Sequence, residues 1–413
     1  MALKTLWIIS LLALLTRFGV PLDNGLSLTP PMGWLSWAAF GCELNCIRHP
    51  LRCINEQLYM DMADRMVEDG YLAAGYNFVN IDDCWMKMTR TADGRLEADA
   101  DRFPSGIRSL AEYMHRRGLK LGIYADFGKK TCAGFPGSMD YLKLDAATFA
   151  SWNVDMLKLD GCAVNVQLMA KGYPEMGLYL NQTKRPIVYS CSWPFYETYK
   201  GMEPNYTAVA ESCNLWRSYN DIDLSWRSVL SIIDWMDKNQ DKIIPAVGPG
   251  RWNDPDMLII GTPQLTIDQA KVQMALWSIW ASPLIMSNDL RFITKANRDI
   301  LLNRKVIAVD QDPLGIMGRL VHKVSFVSIY LKPITPVNKQ GDTSFAIAFF
   351  NRHPTDKAIV TVDHIKQIGL DSPLGYVVVD VFSGRSYGRL LPDDRFHCIV
   401  NPTGVIMVTA SVA

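Results

Sequence analysis

Val154-Asp155-Met156-Leu157-Lys158-Leu159-Asp160-Gly161-Cys162 alternates apolar positions up to a carboxylate and is then broken by a glycine. The pattern reads as a buried strand of a parallel sheet that delivers Asp160 at its carboxyl end. Aspartate is depleted in strands and costly to bury unpaired, so Asp160 needs a reason to be there. A cap for the following helix is one reason, and function is the other. Recurrence of the pattern, an apolar strand and then an acid, favours function.

Strand candidates run along the chain at Met32 to Trp37, Phe78 to Asp82, Lys120 to Ala125, Val154 to Leu159, Ile187 to Cys191, Leu215 to Tyr219, Ile243 to Val247 and Pro283 to Met286. Helical periodicity separates them at Glu56 to Asp69, Ile107 to Arg117, Leu144 to Trp152, Ser225 to Asn239 and Thr266 to Ala281. Such alternation predicts parallel β/α units, and eight of them close as a (β/α)8 TIM barrel, here over residues 25–314. Past Leu314-Gly315 the texture becomes short β-rich runs without helix. Residues 315–413 are therefore expected to form an antiparallel β-sandwich packed directly on the barrel.

Lys and Arg total 42 against 42 Asp and Glu. The balance gives no electrostatic footprint for nucleic acid or an anionic membrane, so a neutral ligand is expected. Residues 1–24 have the layout of a secretory signal peptide: Lys4, the apolar run Leu6 to Leu15, then a polar stretch ending near Gly19 to Gly25. No other stretch is long and apolar enough for an integral membrane segment. Nine cysteines in an exported chain make disulfides the default, with one cysteine left over. Cys42-x-x-x-Cys46 has a zinc-like spacing but no second tight Cys/His pair. Asn181-Gln182-Thr183 and Asn205-Tyr206-Thr207 are glycosylation sequons, credible because of the export signal.

In a barrel the carboxyl ends of all strands meet at one mouth. Here they would deliver Trp34 and Trp37; Asp82, Asp83 and Trp85; Tyr124 and Asp126; Lys158 and Asp160; Ser192, Trp193, Phe195 and Tyr196; Trp216, Arg217, Tyr219 and Asp221; Trp252, Asn253, Asp254, Asp256 and Met257; and Ser287 to Asp289. An acid-rich, aromatic-lined cup suits glycosidase chemistry, which needs two opposed carboxylates and apolar walls for sugar faces. A metal hydrolase would want histidines, and the six of this chain, His49, His115, His322, His353, His364 and His397, fall at none of these ends. A Gly-rich or basic phosphate cradle is also missing from the mouth, so no metal and no cofactor is expected.

Pro30-Pro31-Met32-Gly33-Trp34-Leu35-Ser36-Trp37, Asn80-Ile81-Asp82-Asp83-Cys84-Trp85, Leu157-Lys158-Leu159-Asp160-Gly161-Cys162 and Gly250-Arg251-Trp252-Asn253-Asp254-Pro255-Asp256-Met257 resemble glycoside hydrolase family 27. Its animal members are lysosomal alpha-galactosidases and alpha-N-acetylgalactosaminidases, and the likeness spans the chain after the leader. It implies a retaining exo-glycosidase acting on terminal alpha-linked glycans, with Asp160 as nucleophile and Asp221 as acid/base. The two carboxylates would straddle the bond about 5 Å apart, with Asp221 protonated when substrate arrives. By the same likeness Asp82 and Asp83 would accept from the hydroxyls at carbons 4 and 6, although taken alone they could be helix caps. Trp37 and Tyr124 would form the apolar wall, Arg217, Asp256 and Met257 would complete the contacts, and Tyr196 would line the strand-five loop. Lys158 would either hold Asp160 ionised or bind a hydroxyl. Trp85 and Trp252 are expected to pack behind the pocket.

The likeness also implies the disulfides Cys42–Cys84, Cys46–Cys53, Cys132–Cys162 and Cys191–Cys213, with Cys398 as a buried free thiol, and a lysosomal homodimer. Galactosidases of this kind carry Glu and Leu in the strand-five loop, whereas N-acetylgalactosaminidases carry Ser and Ala, leaving room for an acetamide. Ser192 fits the second pattern and Phe195 departs from both. N-acetylgalactosamine is therefore the expected sugar, with galactose or dual specificity as the alternative. A catalytically silent lectin would need one of the two acids lost, and both are present.

Overall fold

The computed structural model describes residues 24–413. The expected leader therefore lies outside the described residues, save for its last position, Asn24. Eight short parallel strands form the first unit: β1 Met32–Leu35, β2 Phe78–Asn80, β3 Lys120–Asp126, β4 Met156–Asp160, β5 Val188–Cys191, β6 Leu215–Arg217, β7 Trp252–Asp254 and β8 Leu284–Met286. They are ordered β7-β6-β5-β4-β3-β2-β1-β8. The seam between β7 and β8 is closed by Leu258, just past β7, whose N–H donates to Ile285 O at 2.7 Å and whose carbonyl accepts from Ser287 N at 2.8 Å. Closure leaves no free edge, as a barrel requires.

The stretch expected as strand seven, Ile243 to Val247, is instead the end of the helix Trp226–Ile243 and a 3-10 turn over Ile244–Ala246. A short buried apolar run looks the same in a helix end and in a strand, and Pro245 has no N–H to give a sheet ladder. The true β7 starts at Trp252, whose 0% exposed ring joins Phe78, Met156, Val188 and Leu215 at the amino end of the barrel. There its indole donates to Ser27 O at 2.7 Å. Trp252 thus plugs the floor, far from the pocket it was expected to back.

Eight antiparallel strands follow: β9 Arg319–Val324, β10 Val327–Val337, β11 Thr343–Asn351, β12 Ala358–Val362, β13 Tyr376–Asp380, β14 Ser386–Leu390, β15 Phe396–Val400 and β16 Val405–Val412. Six form one sheet and the pair β12-β15 covers it. Ile329, Ile347, Phe349, Val360 and Phe396 fill the space between. The only helical turn there is the 3-10 segment Ile365–Ile368. The opposite face of the large sheet packs on the barrel. Lys332 of β10 is fully buried and donates to Val309 O at 2.6 Å and Ser278 O at 3.1 Å. Arg352 bridges Asp234 and Asp237 of the helix Trp226–Ile243 at 2.6 and 2.8 Å.

Candidate active site

Asp160 ends β4 beside Asp126, its cross-strand partner at the end of β3. Its Oδ2 accepts from Tyr124 Oη at 3.1 Å, and its Oδ1 accepts from Tyr196 Oη at 2.7 Å and from Gly161 N at 3.0 Å. Charge-assisted bonds from two phenols fix the rotamer of the carboxylate. Gly161 is required by this approach, because a Cβ there would sit 2.9 Å from the Tyr196 ring and 2.5 Å from Met169 Cε. Tyr124 is 1% exposed and acts through its hydroxyl rather than as an open apolar wall. Burial, with the neighbouring carboxylates adding to it, drives its ionisation well above the ordinary phenol range, so it remains a donor.

Asp126 was visible as a strand-end acid, but its part emerges only in three dimensions. It is fully buried and accepts from Gly128 N at 2.6 Å and Cys162 N at 2.9 Å, tying both flanks of the Asp160 loop. Burial, then the charge of Asp160, lifts its pKa to about 8. Cys132 and Cys162 stand next to it, but their sulfurs are bonded to each other and offer no thiolate to a metal. The structure also joins Cys42 to Cys84, Cys46 to Cys53 and Cys191 to Cys213, the pairs implied by the resemblance, and leaves Cys398 buried and unbridged.

Lys158 pairs with Asp82 at 2.7 Å rather than with Asp160. Burial alone would lower this lysine, but the charges of Asp82, Asp160 and Asp221 outweigh it and keep the ammonium protonated. Asp82 also accepts from Asp83 N at 2.8 Å, and Asp83 accepts from Cys84 N at 2.6 Å and Ala133 N at 3.0 Å. No helix begins after β2 until Gly106, so neither acid is a helix cap. Desolvation raises the pKa of both.

On the opposite wall Arg217, ending β6, reaches Asp221 Oδ1 at 3.1 Å and Asp256 Oδ1 at 3.0 Å. Asp256 holds the loop by accepting from Ile222 N at 2.7 Å, and it sits at φ 86°, a left-handed backbone unusual for a residue with a side chain. Desolvation pushes Asp221 up, but Arg217 and Lys158 prevail and hold it below the usual carboxylate range. The i to i+4 pairing across the β6 loop that sets this balance was not visible in the sequence.

Asp160, Lys158, Ser192, Phe195, Arg217 and Asp221 line one cavity of about 290 Å³, together with Tyr196, Tyr199 and the Cys132–Cys162 bridge. Beneath it a void of about 30 Å³ reaches Asp254, Asp256 and Met257. Burial, opposed by Arg217, lifts Asp254 to about 6. Trp37 is half-buried in the short helix after β1. The structure turns several other strand-end residues to support. Trp34 donates to Asn288 O, the Trp85 indole donates to Tyr124 O, Tyr219 stacks on Trp235, and Ser287 accepts from Ala38 N. Tyr199 was missed; its signal is the four-residue step from Phe195 along the helix Trp193–Tyr199.

A closed barrel whose mouth sets acids on two facing walls, with aromatic rings between them, is the machinery of a glycoside hydrolase. Comparison with known proteins narrows the class. Residues 29–312 match the family model described as alpha galactosidase A. The chain is 50% identical to alpha-N-acetylgalactosaminidase of Gallus gallus over 388 residues, covering 94% of each chain. It is 50% identical to the Homo sapiens enzyme of the same name over 390 residues, covering 94% of this chain and 92% of that one. Identity to Homo sapiens alpha-galactosidase A is 46% over 392 residues, covering 94% and 90%. Among solved structures, alpha-galactosidase I of Mortierella vinacea superposes with a TM-score of 0.83 at 28% identity, covering 95% of this chain and 99% of that one. The chain belongs to this alpha-galactosidase family, glycoside hydrolase family 27, and is a glycoside hydrolase acting on glycans. No helix among the described residues is long and apolar enough to cross a membrane.

Proposed function

We propose that the chain is a retaining exo-glycosidase that removes terminal alpha-linked N-acetylgalactosamine from glycolipids, glycoproteins or oligosaccharides by double displacement. The observation that carries the sugar assignment is Ser192, a small residue lining the cavity at the start of the helix that bears Phe195 and Tyr196. A small hydroxyl side chain leaves space for an acetamide and a partner for its carbonyl. The printed names of the two relatives at 50% identity agree with it.

In this reading Asp160 attacks the anomeric carbon as the glycosidic C–O bond breaks, and Asp221 gives its proton to the departing oxygen. Asp221, now a carboxylate, then takes a proton from water. The resulting nucleophile attacks the same carbon and releases Asp160. Arg217 favours the carboxylate form of Asp221, the form that takes the proton from water in the second step, and the acid form needed for the first step gains ground as pH falls. Asp82 and Asp83, with Lys158, receive the hydroxyls at carbons 4 and 6, and Trp37, Tyr124, Arg217, Asp256 and Met257 complete the surround. The barrel, residues 25–314, carries the chemistry, and residues 315–413 support it.

The four disulfides suit an oxidising compartment, consistent with a leader peptide and a lysosomal destination. Asn181 and Asn205 are exposed and open to glycosylation. A homodimer is the expected assembly. A second reading, alpha-galactosidase or dual specificity, is favoured by Phe195, a bulky ring lining the cavity where a small residue would leave more room for a substituent at carbon 2. Turnover of paired chromogenic alpha-N-acetylgalactosaminide and alpha-galactoside substrates decides between them. A large preference for the first is expected, and a large preference for galactose overturns the assignment.

A further inference from the structure

The helix Trp193–Tyr199 carries more aromatic surface into the mouth than the reacting sugar needs. Tyr196 turns inward to Asp160, and Phe195 packs on it edge-on with ring centres 4.9 Å apart. Tyr199, one turn further, stands 5.9 Å from Phe195 and lines the same cavity, yet 68% of it is exposed. The Lys200 ammonium lies 5.5 Å from the Tyr199 ring centre, an attraction that restrains the ring where it stands. So large an exposed ring contributes little to the fold, and it offers a flat apolar face to whatever enters the mouth.

What lies there follows from the chemistry. Asp221 has to face the glycosidic oxygen, and its side chain is 64% exposed. The group attached to that oxygen must therefore sit outside Asp221, on the solvent side of the cavity, where Tyr199 also stands. We infer that Tyr199, continued inward by Phe195, is the platform on which the leaving group rests, and that its preferred occupant is a neutral hexose residue, the second sugar of the glycan. The C–H face of a pyranose is apolar and rigid, and it matches a ring held by its helix. This rests on the reading of Asp221 as acid/base. It makes Tyr199 a specificity-determining residue for the leaving group, with no part in bond cleavage.

The test compares wild type, Tyr199→Ala and Tyr199→Phe on two probes that share the reacting sugar. One is a disaccharide with a hexose as leaving group and the other is the methyl glycoside. Both probes are made in alpha-N-acetylgalactosaminyl and alpha-galactosyl series. A wrong sugar assignment then appears as the wild type choosing the other series, separately from any effect of Tyr199. In the series that is cleaved, Tyr199→Ala is expected to raise KM for the disaccharide about threefold to tenfold. Its kcat there, and both constants on the methyl glycoside, stay unchanged. Tyr199→Phe is expected to match wild type, because the ring and not the hydroxyl carries the contact. Equal losses on both probes, no loss on the disaccharide, or a Tyr199→Phe variant as impaired as Tyr199→Ala would each overturn the inference.

Discussion

Tyr196 donates its hydroxyl proton to Oδ1 of Asp160 across 2.7 Å, while Tyr124 holds the other oxygen. The nucleophile of the proposed reaction is thus held from both sides before substrate arrives, and the holding is done by groups that stay protonated. Burial, reinforced by the charge of Asp160, moves the Tyr196 phenol far above its ordinary range.

Removing one of these donors leaves the shape of the site but loosens its nucleophile. Tyr196→Phe is expected to lower kcat about 10- to 100-fold, as for one charge-assisted hydrogen bond, with little change in Tm. Steady-state kinetics beside a thermal melt check this. An unchanged kcat would mean that the bond does not position Asp160.

Buried acids make stability depend on pH, two of them at the barrel mouth and one, Asp310, at the end of the helix Arg304–Asp310, with a sign that follows from their neighbours. Asp126 is lifted to about 8 by burial and by Asp160, Asp310 to about 8 by burial against the pull of Lys332, and Asp254 to about 6 by burial against Arg217. In the unfolded chain each titrates near about 4. The native state therefore holds protons that the unfolded state has lost. The stabilisation is complete below pH about 4 and disappears as pH rises through 6 and then 8. Asp221 has the opposite sign, since Arg217 overcomes its desolvation, and its share is lost below pH about 4. Melting curves from pH 4 to 8 are expected to show the highest Tm near pH 4.5 to 5, with a fall of at least about 3–5 °C by pH 8. A Tm that rises steadily to pH 8 would contradict it.

The Cys132–Cys162 bridge closes a 30-residue separation and fastens the loop beside Asp160. Its Cys162 amide is the one held by Asp126. The double variant Cys132→Ala/Cys162→Ala is expected to lose roughly 3 kcal/mol of stability. At temperatures where it remains folded, kcat should fall more than KM changes. Circular dichroism melts and kinetics together measure both, and full activity with only a lowered Tm would reduce the bridge to a staple.

The repeated motif of strand then acid, centred on Lys158-Leu159-Asp160, made the barrel and its mouth readable, because a parallel strand buried on both faces has few other ways to end in Asp. Strand seven was misread because Ile243 to Val247 carries its apolar character into a helix end, whereas β7 itself is only Trp252–Asp254. The helix Met169–Gln182 escaped notice because Gly172, Pro174 and Gly177 interrupt its pattern; Gly172 is there to let the Phe127 ring approach. Pairings between strands were beyond reach of the sequence. Lys158 lies two residues from Asp160 yet spends its charge on Asp82, and Arg217 holds Asp221 as a carboxylate. Both partnerships depend on which side chain fills the space at the mouth, and no local rule supplies that.

The most direct measurement of the central claim is peptide mapping by mass spectrometry after the enzyme is mixed with a fluorinated glycosyl fluoride that forms the glycosyl-enzyme quickly and releases it slowly. One added sugar, esterified to Asp160, is expected in wild type, and none in Asp160→Asn, which should fold with an unchanged Tm and turn nothing over. A sugar bound to any other side chain, or steady turnover by Asp160→Asn, would contradict it.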